Sequence, residues 1–172
     1  MTIGKIFCKS LWIQLFLFSV VGMFVYNAFV YAENEEEWMP DPALREAIRE
    51  KLKIPADSPL TQAYMQEHLT ALHVSDKGIV NLTGLEHATD LQSLGLARNK
   101  IQDLSPLSGL TGLGYLNLGS NQISDLRPLA GLTRLEFLHL WGNQIKDISP
   151  LAGLVNLKNL NLSRNQIADI SA

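Results

Sequence analysis

The chain has 172 residues, enough for one domain of ordinary size, and 47% of them are hydrophobic. Its net charge is −3 at pH 7, which argues against a nucleic-acid partner because such partners select for a strong basic excess. The one cysteine, Cys8, has no second cysteine to pair with. The fold must therefore be stabilised by packing.

Residues 1–32 have the layout of a secretory signal. Lys5 and Lys9 precede an apolar run over residues 11–30, and the small Ala32 suits cleavage after it. Cleavage would lower the net charge from −3 to −5, because the segment holds two lysines and no acidic residue. The alternative is an uncleaved membrane anchor, since about 20 apolar residues span a bilayer. The sequence predicts a secreted or cell-surface protein, with membrane contact only if the segment is retained.

Residues 33–68 are predicted to form an acidic mature N-terminus and a helical cap. Asp41 suits an N-cap, and Pro42 follows it at the first helical position. Thr61 can cap a second short helix that ends at His68. We expect these helices to cover the core of the element that follows.

The rest of the chain, residues 69–172, is an internal repeat with a period of 22 residues. The copies are 91–112, 113–134, 135–156 and 157–172, the last incomplete, and a weaker copy occupies 69–90. Each copy supplies alternating leucines for one short inward-facing strand. One copy cannot bury its leucines alone, so the copies must stack as coils of a solenoid.

The pattern LxxLxLxxNxIxDLxPLxxLxx resembles a leucine-rich repeat of the 22-residue bacterial kind, as in the internalin family and related exported proteins. The resemblance covers 69–172 closely and 33–68 loosely. It implies an α/β solenoid: a leucine-rich repeat right-handed superhelix with about five short parallel strands on the concave side. Short 3₁₀ turns would form the convex side, and a helical cap would precede the repeats.

Two polar columns in the repeat are predicted to be structural. The first is an asparagine ladder that bonds the backbone of its own and the next coil: Asn99, Asn121, Asn143 and Asn165. The second column caps the convex turns: Asp103, Asp125, Asp147 and Asp169. Their repetition on separate coils favours structure over catalysis, and we expect no enzymatic activity.

The outward strand positions hold the candidate binding residues. Tyr115, Phe137, His139 and Trp141 should form one patch beside the small Gly95, Ala97 and Gly119, an aromatic wall next to a shelf. The polar residues assigned to the same surface and its rim are Asn117, Asn159, Asn161, Arg98, Arg164, Glu136 and Lys158.

Two interpretations of this patch are open. Outward aromatics raise strand propensity and shield one another, but aromatics also dominate protein-binding hot spots. The internalin resemblance implies a protein ligand on the concave sheet. The four histidines show no metal-ligand spacing, and His73 and His139 lie three strands apart, roughly 14 Å. We expect a protein or peptide partner, no metal and no cofactor.

The last copy stops at Ala172 without a polar cap. We expect Leu160, Leu162, Ile167 and Ile170 to face solvent there, either because the gene product is longer or because a partner associates with the uncapped end. The leading hypothesis is an exported, adhesin-like, non-enzymatic protein-binding module. The alternatives are a recognition arm of a longer surface protein or enzyme and a cytoplasmic regulatory scaffold.

Overall fold

A computed structural model describes residues 35–169. The predicted signal, the alternative anchor over residues 11–30 and Ile170 lie outside the described residues. Across residues 35–169, no helix is long and apolar enough to span a bilayer.

Three helices precede the repeats: α1 (Glu35–Trp38), α2 (Pro42–Leu52) and α3 (Gln62–His68). Both predicted caps are present. The Asp41 carboxylate accepts from the N–H groups that open α2, and the Thr61 hydroxyl accepts from Tyr64 N at 3.2 Å. The sequence predicted only a solvated N-terminus where α1 lies. The difference follows from packing, because α1 ends at Trp38, which packs against the core.

The five strands are three residues long and parallel: β1 (Ala71–His73), β2 (Ser93–Gly95), β3 (Tyr115–Asn117), β4 (Phe137–His139) and β5 (Asn159–Asn161). They form one sheet in chain order. Each residue pairs with the residue 22 positions further along, so Ser93 lies beside Tyr115 and Tyr115 beside Phe137. The predicted solenoid with about five parallel strands is confirmed.

Four 3₁₀ turns lie between the strands: Leu85–His87, Ser105–Leu107, Arg127–Leu129 and Ser149–Leu151. Three of the repeated aspartates support them as predicted, since Asp103, Asp125 and Asp147 each accept the N–H two residues further on. Asp103 Oδ1 accepts from Ser105 N at 2.8 Å, and Asp147 Oδ1 accepts from Ser149 N at 2.8 Å. In the first coil Asn81 takes this role and accepts from Thr83 N at 2.9 Å.

The repeat leucines form one continuous core. Leu94, Leu96, Leu116, Leu138 and Leu140 are all fully buried. A buried leucine contributes about 1.5–3 kcal/mol relative to exposure, and each coil obtains that burial from its neighbours. Stacking is therefore what makes a three-residue strand stable.

The asparagine ladder is bonded as a column, with one correction to its direction. Asn121 Nδ2 donates to Leu118 O in its own coil at 2.9 Å and to Leu96 O at 3.0 Å. Its Oδ1 accepts from Ile101 N at 3.1 Å. Leu96 and Ile101 belong to the preceding coil, so the prediction of bonds to the next coil was wrong. The amide reaches back because the backbone groups within its reach, Leu96 O and Ile101 N, belong to the preceding coil.

Asp41 does more than cap α2. Its Oδ2 accepts from Val80 N at 2.8 Å and from Asn81 N at 3.0 Å, both in the first coil. Burial alone would raise the pKa of this carboxyl, but the bonds from Val80, Asn81, Leu44 and Ala43 outweigh it and hold the pKa below its ordinary value of 3.8. One buried carboxylate thus fastens the cap to the solenoid.

Gly84 allows the cap to approach. Its φ is +99°, and a Cβ built there would lie 2.9 Å from Met39 Cβ and from Trp38 O. The following coils carry Pro106, Pro128 and Pro150 at the equivalent position. The first coil departs from the repeat because its neighbour is a helical segment rather than another coil.

The fifth coil only partly matches the prediction for it. Leu160 is 42% exposed, as expected for a strand with one neighbour. Leu162 and Ile167 were predicted to face solvent, but both are half-buried and pack against the core. The preceding coil covers one side of each residue, a contact that the prediction of full exposure did not take into account.

Candidate protein-binding surface

The strands present two different faces. Within β4, Leu138 is fully buried between two residues of the opposite face, of which Phe137 is 39% exposed. Tyr115, His139 and Trp141 are half-buried on the same outward face. The predicted inward and outward assignment is therefore correct for these positions.

Three of the predicted residues meet through their rings. The Tyr115 ring lies 6.4 Å from that of Phe137 and 5.9 Å from that of His139, the latter at an interplanar angle of 72°. Edge-to-face and tilted contacts at these distances are favourable for aromatic pairs. Each ring therefore limits the rotamers open to its neighbours.

His73 joins this group from two coils away. Its ring lies 5.8 Å from Tyr115, and its Nε2 is 3.0 Å from Ser93 Oγ. The ring leans over Gly95, where a Cβ would lie 2.6 Å from His73 Nδ1. We call His73, Tyr115, Phe137 and His139 the ring cluster. The sequence pattern excluded His73 as a metal ligand and did not place it in the predicted patch. The signal that could have placed it there was Gly95, its small neighbour on the next strand.

Trp141 occupies a separate place. A Cβ on Gly119 would lie 2.1 Å from Trp141 Nε1, so the indole covers that glycine. Gly95 and Gly119 are both buried. The predicted open shelf at these two glycines is thus wrong, because the space above each is filled by a ring from an adjacent coil: His73 from the preceding coil over Gly95 and Trp141 from the next coil over Gly119.

The outward asparagines differ in what they contact. Asn159 Oδ1 lies 3.1 Å from His139 Nε2 and so extends the ring cluster. Asn117 Oδ1 accepts from Gly119 N at 3.1 Å, and Asn161 Oδ1 accepts from Ser163 N at 3.1 Å. These two acceptors stabilise the ends of their own strands.

The predicted polar rim lies along two opposite edges. Where the strands begin, Lys158 Nζ and Glu136 Oε2 form an ion pair at 2.7 Å. Arg98 and Arg164 follow the ends of β2 and β5, both exposed. The position they share has left-handed backbone in every coil: Asp76, Arg98, Ser120, Gly142 and Arg164, with φ of 56–69°. Arg98 and Arg164 are three coils apart and do not act as one site.

Within residues 35–169, no group of three or more histidine, cysteine, aspartate or glutamate side chains could hold a metal ion. The asparagines of the ladder are fully engaged with backbone groups. The outward face offers aromatic surface, amides and a few charges, which is the composition of a binding surface.

The chain matches the family model for leucine-rich repeats in two copies, over residues 89–131 and 133–172. It is 37% identical to an internalin of Listeria monocytogenes of known structure, over 79% of this chain and 40% of that one, with a TM-score of 0.75. A pollen receptor kinase matches at 24% identity, over 57% of this chain and 51% of that one, with a TM-score of 0.50, which shows the fold alone. No curated protein sequence matches significantly.

The present chain spans about 40% of the length of that internalin. Repeat pattern, sheet register and relatives agree with one another. This chain is an internalin-like leucine-rich repeat protein of bacterial type, built on a fold that typically serves as a protein-binding scaffold.

Proposed function

We propose that this chain is an exported, non-enzymatic module that binds a partner protein on the outward face of its sheet. The contact would centre on the ring cluster and Trp141. The observation that carries the proposal is the placement of four rings and an indole on the face that the core does not use.

The geometry of the rings supports binding rather than mere shielding. They are held by contacts with one another and by the bonds of His73 and His139 to neighbouring strands. A ligand would therefore find them already ordered, which reduces the entropy cost of association. Aromatic side chains in such positions are typical binding hot spots.

The proposal also includes export and an adhesin-like role. The signal-like residues 1–32 and the internalin resemblance support them. Mass spectrometry of the chain expressed in a bacterium tests export directly, since cleavage after Ala32 should leave Glu33 as the first residue. An intact chain in the membrane fraction would instead support the anchor over residues 11–30.

A recognition arm of a longer surface protein is a second candidate. The observation that favours it is the 40% share of the matched internalin that this chain spans. Reading the coding region beyond Ala172 distinguishes the two candidates, because an arm requires further domains in the same product.

The binding surface is tested by capture of partners from extracellular or host material. The wild-type chain and a variant with Tyr115, Phe137 and Trp141 changed to Ala are compared at equal concentration. We expect the variant to lose the partner, because truncating one hot-spot aromatic typically costs about 2 kcal/mol or more.

The matched control changes three exposed residues away from this face: Tyr64, Val80 and Val155. It should retain the partner. A ring variant that stays folded and still captures the same protein would move the binding site off this face of the sheet.

A further inference from the structure

A groove runs along the edge of the sheet at which the strands begin. Tyr115 and Phe137 line it, so it is continuous with the ring cluster. It encloses about 1160 Å³, which is more than the roughly 300–1,000 Å³ of a small-molecule site. We call it the edge groove, and its size suits a segment of polypeptide.

The centre of the edge groove is a notch at Gly112 and Gly114. Neither glycine has a left-handed φ. A Cβ on Gly112 would lie 3.4 Å from Leu91 O and 3.7 Å from Thr89 O, and one on Gly114 would be at least 3.9 Å from any neighbour. These are ordinary contacts. The backbone would accept a side chain at both positions, so the opening is not required by the fold.

The notch leaves the carbonyl oxygen of the exposed Thr89 without a donor, whereas the nearby Leu91 is fully buried. In a later coil, Asn156 Nδ2 donates to Thr133 O at 2.8 Å. Gly112 stands in the same relation to Thr89 and has no side chain to donate. In the part of the chain that the structure describes, neither Thr89 O nor Leu91 O accepts a hydrogen bond. The notch therefore favours a ligand group that donates hydrogen bonds.

Opposite charges flank the notch. Asp90 and Arg134 occupy the position of Gly112 in the preceding and the following coil, and both line the edge groove. Neither forms an ion pair with any residue from 35 to 169, whereas Glu136 is neutralised by Lys158. Two strand spacings separate Asp90 from Arg134, about 10 Å.

On the basis of the proposed function, we propose that the edge groove receives an extended segment of the partner protein with one basic and one acidic side chain. The lysine or arginine enters the Gly112 notch, where it donates to Thr89 O beside the Asp90 carboxylate. The acidic side chain pairs with Arg134. An extended segment in the polyproline II conformation rises about 3.1 Å per residue and returns to the same face every three residues, so the two charged residues stand about three positions apart.

The unpaired charges favour a peptide over a neutral glycan. A sugar could donate a hydroxyl hydrogen bond to Thr89 O and place its ring on Tyr115, but it would carry no charge to pair with Asp90 or Arg134. Complementary charges on a partner fix its register across the coils, and a polypeptide supplies both signs in one segment.

The test selects binders for the immobilised full chain from a displayed library of short random peptides. We expect the selected sequences to share a basic and an acidic residue about three positions apart. Binding of the synthetic consensus peptide should fall roughly tenfold or more with Asp90→Arg. Changing the basic residue of the peptide to glutamate should restore part of that loss.

Gly112→Ala should also weaken binding, because its methyl group would lie 3.7 Å from Thr89 O and occupy the notch. Gly109→Ala is the matched control, since a Cβ there meets nothing within 4 Å. Melting curves of the variants establish that they are folded. If charge reversal at Asp90 disturbs the folding of its coil, the comparison of Gly112→Ala with Gly109→Ala still tests the edge groove.

Several results would overturn the inference. Peptides that tolerate Asp90→Arg and Gly112→Ala but are lost with Phe137→Ala would place the contact on the ring cluster alone, and the proposed function would stand. Peptides indifferent to all three changes would overturn both proposals. A selection that yields no peptides with charged residues would overturn the assignment of the edge groove to a charged peptide. The same holds if the chain binds neutral glycans on an array but none of the peptides.

Discussion

The inward and outward faces of the coils use the same kinds of residue for different purposes. Leu138 is fully buried, whereas its neighbour Phe137 is 39% exposed. Asn121 is bonded to four backbone groups in two coils, whereas Asn117 accepts one bond within its own strand end. Position relative to the core, and not residue type, decides which side chains the fold depends on.

This difference separates stability from recognition. Inward residues meet an equivalent apolar neighbour in the next coil, so each change affects its own coil and the coils on either side. Outward residues contact one another, nearby strand backbone and solvent, but not the core. The outward face is therefore free to carry a ligand-specific set of side chains, and paired substitutions across the two faces should show the separation.

The largest contrast is expected in β4. Leu138→Ala leaves a cavity in a closely packed core and should lower the free energy of unfolding by about 2–5 kcal/mol. Phe137→Ala removes only cross-strand contacts and should cost about 0.2–1 kcal/mol. Urea denaturation of both variants measures the difference. Equal losses would mean that the two faces are not energetically distinct.

The asparagines provide the second contrast. Asn121→Ala leaves Ile101 N without a partner and removes one of the two ladder donors from Leu96 O and from Leu118 O, and we expect a loss of about 1–3 kcal/mol. Asn117→Ala removes one bond to Gly119 N and should be nearly neutral. A harmless Asn121→Ala in thermal melting would contradict the structural role of the ladder.

The third contrast is between a buried and an exposed aspartate. Asp41→Asn keeps one acceptor but sets an amide donor against Val80 N and Asn81 N, at a cost of about 0.5–2 kcal/mol. Asp125→Asn loosens only an exposed turn, where bonds from Arg127 hold the pKa of the carboxyl below its ordinary value. We expect the smaller effect there.

The pH dependence of Asp41 sharpens this third contrast. Its folded pKa is below its ordinary value of 3.8, so the carboxylate stabilises the fold fully above pH 3.8 and loses that contribution as the pH falls through the folded pKa. The stability gap between wild type and Asp41→Asn should therefore narrow in acid. Urea titrations at neutral pH and well below pH 3.8 measure it, and a constant gap would contradict the assignment.

The smallest effect is expected where an outward ring covers a glycine. Gly119→Ala places a methyl group where the Trp141 indole now lies and should rotate the ring off the sheet with little loss of stability. The fluorescence emission of Trp141 should shift to longer wavelength as the indole meets water. Gly109→Ala, in open space, should change nothing. An unchanged spectrum in the first variant would mean that Trp141 does not rest on Gly119.

The sequence was sufficient to predict the sheet, its register and the ladder, because the period of 22 residues makes each coil the template for the next. Asn99, Asn121, Asn143 and Asn165 recur at one position, so a bond made by one is repeated by all. The same repetition predicted the aspartate caps of the 3₁₀ turns. The period did not reveal that each ladder amide reaches back to the preceding coil, because spacing is the same in both directions.

The residues on which function would depend were harder to place. The list of outward aromatics was correct, but only the structure showed that His73 leans over Gly95 to reach Tyr115 and that Trp141 closes over Gly119. Those contacts join different coils through rotamer choices that no local pattern specifies. The same limit hid the second role of Asp41, whose partners lie about 40 residues away in the chain.

Alternating leucines and a fixed period therefore determined the fold by themselves, since burial of apolar surface at equal spacing has essentially one solution in stacked coils. The tertiary structure alone decided which outward gaps are filled by a neighbouring ring and which stay open. Gly119 lies under an indole, whereas the space above Gly112, next to Thr89 O, stays open. In the sequence both positions read only as glycine. They differ because an adjacent coil places a ring over Gly119 and none over Gly112.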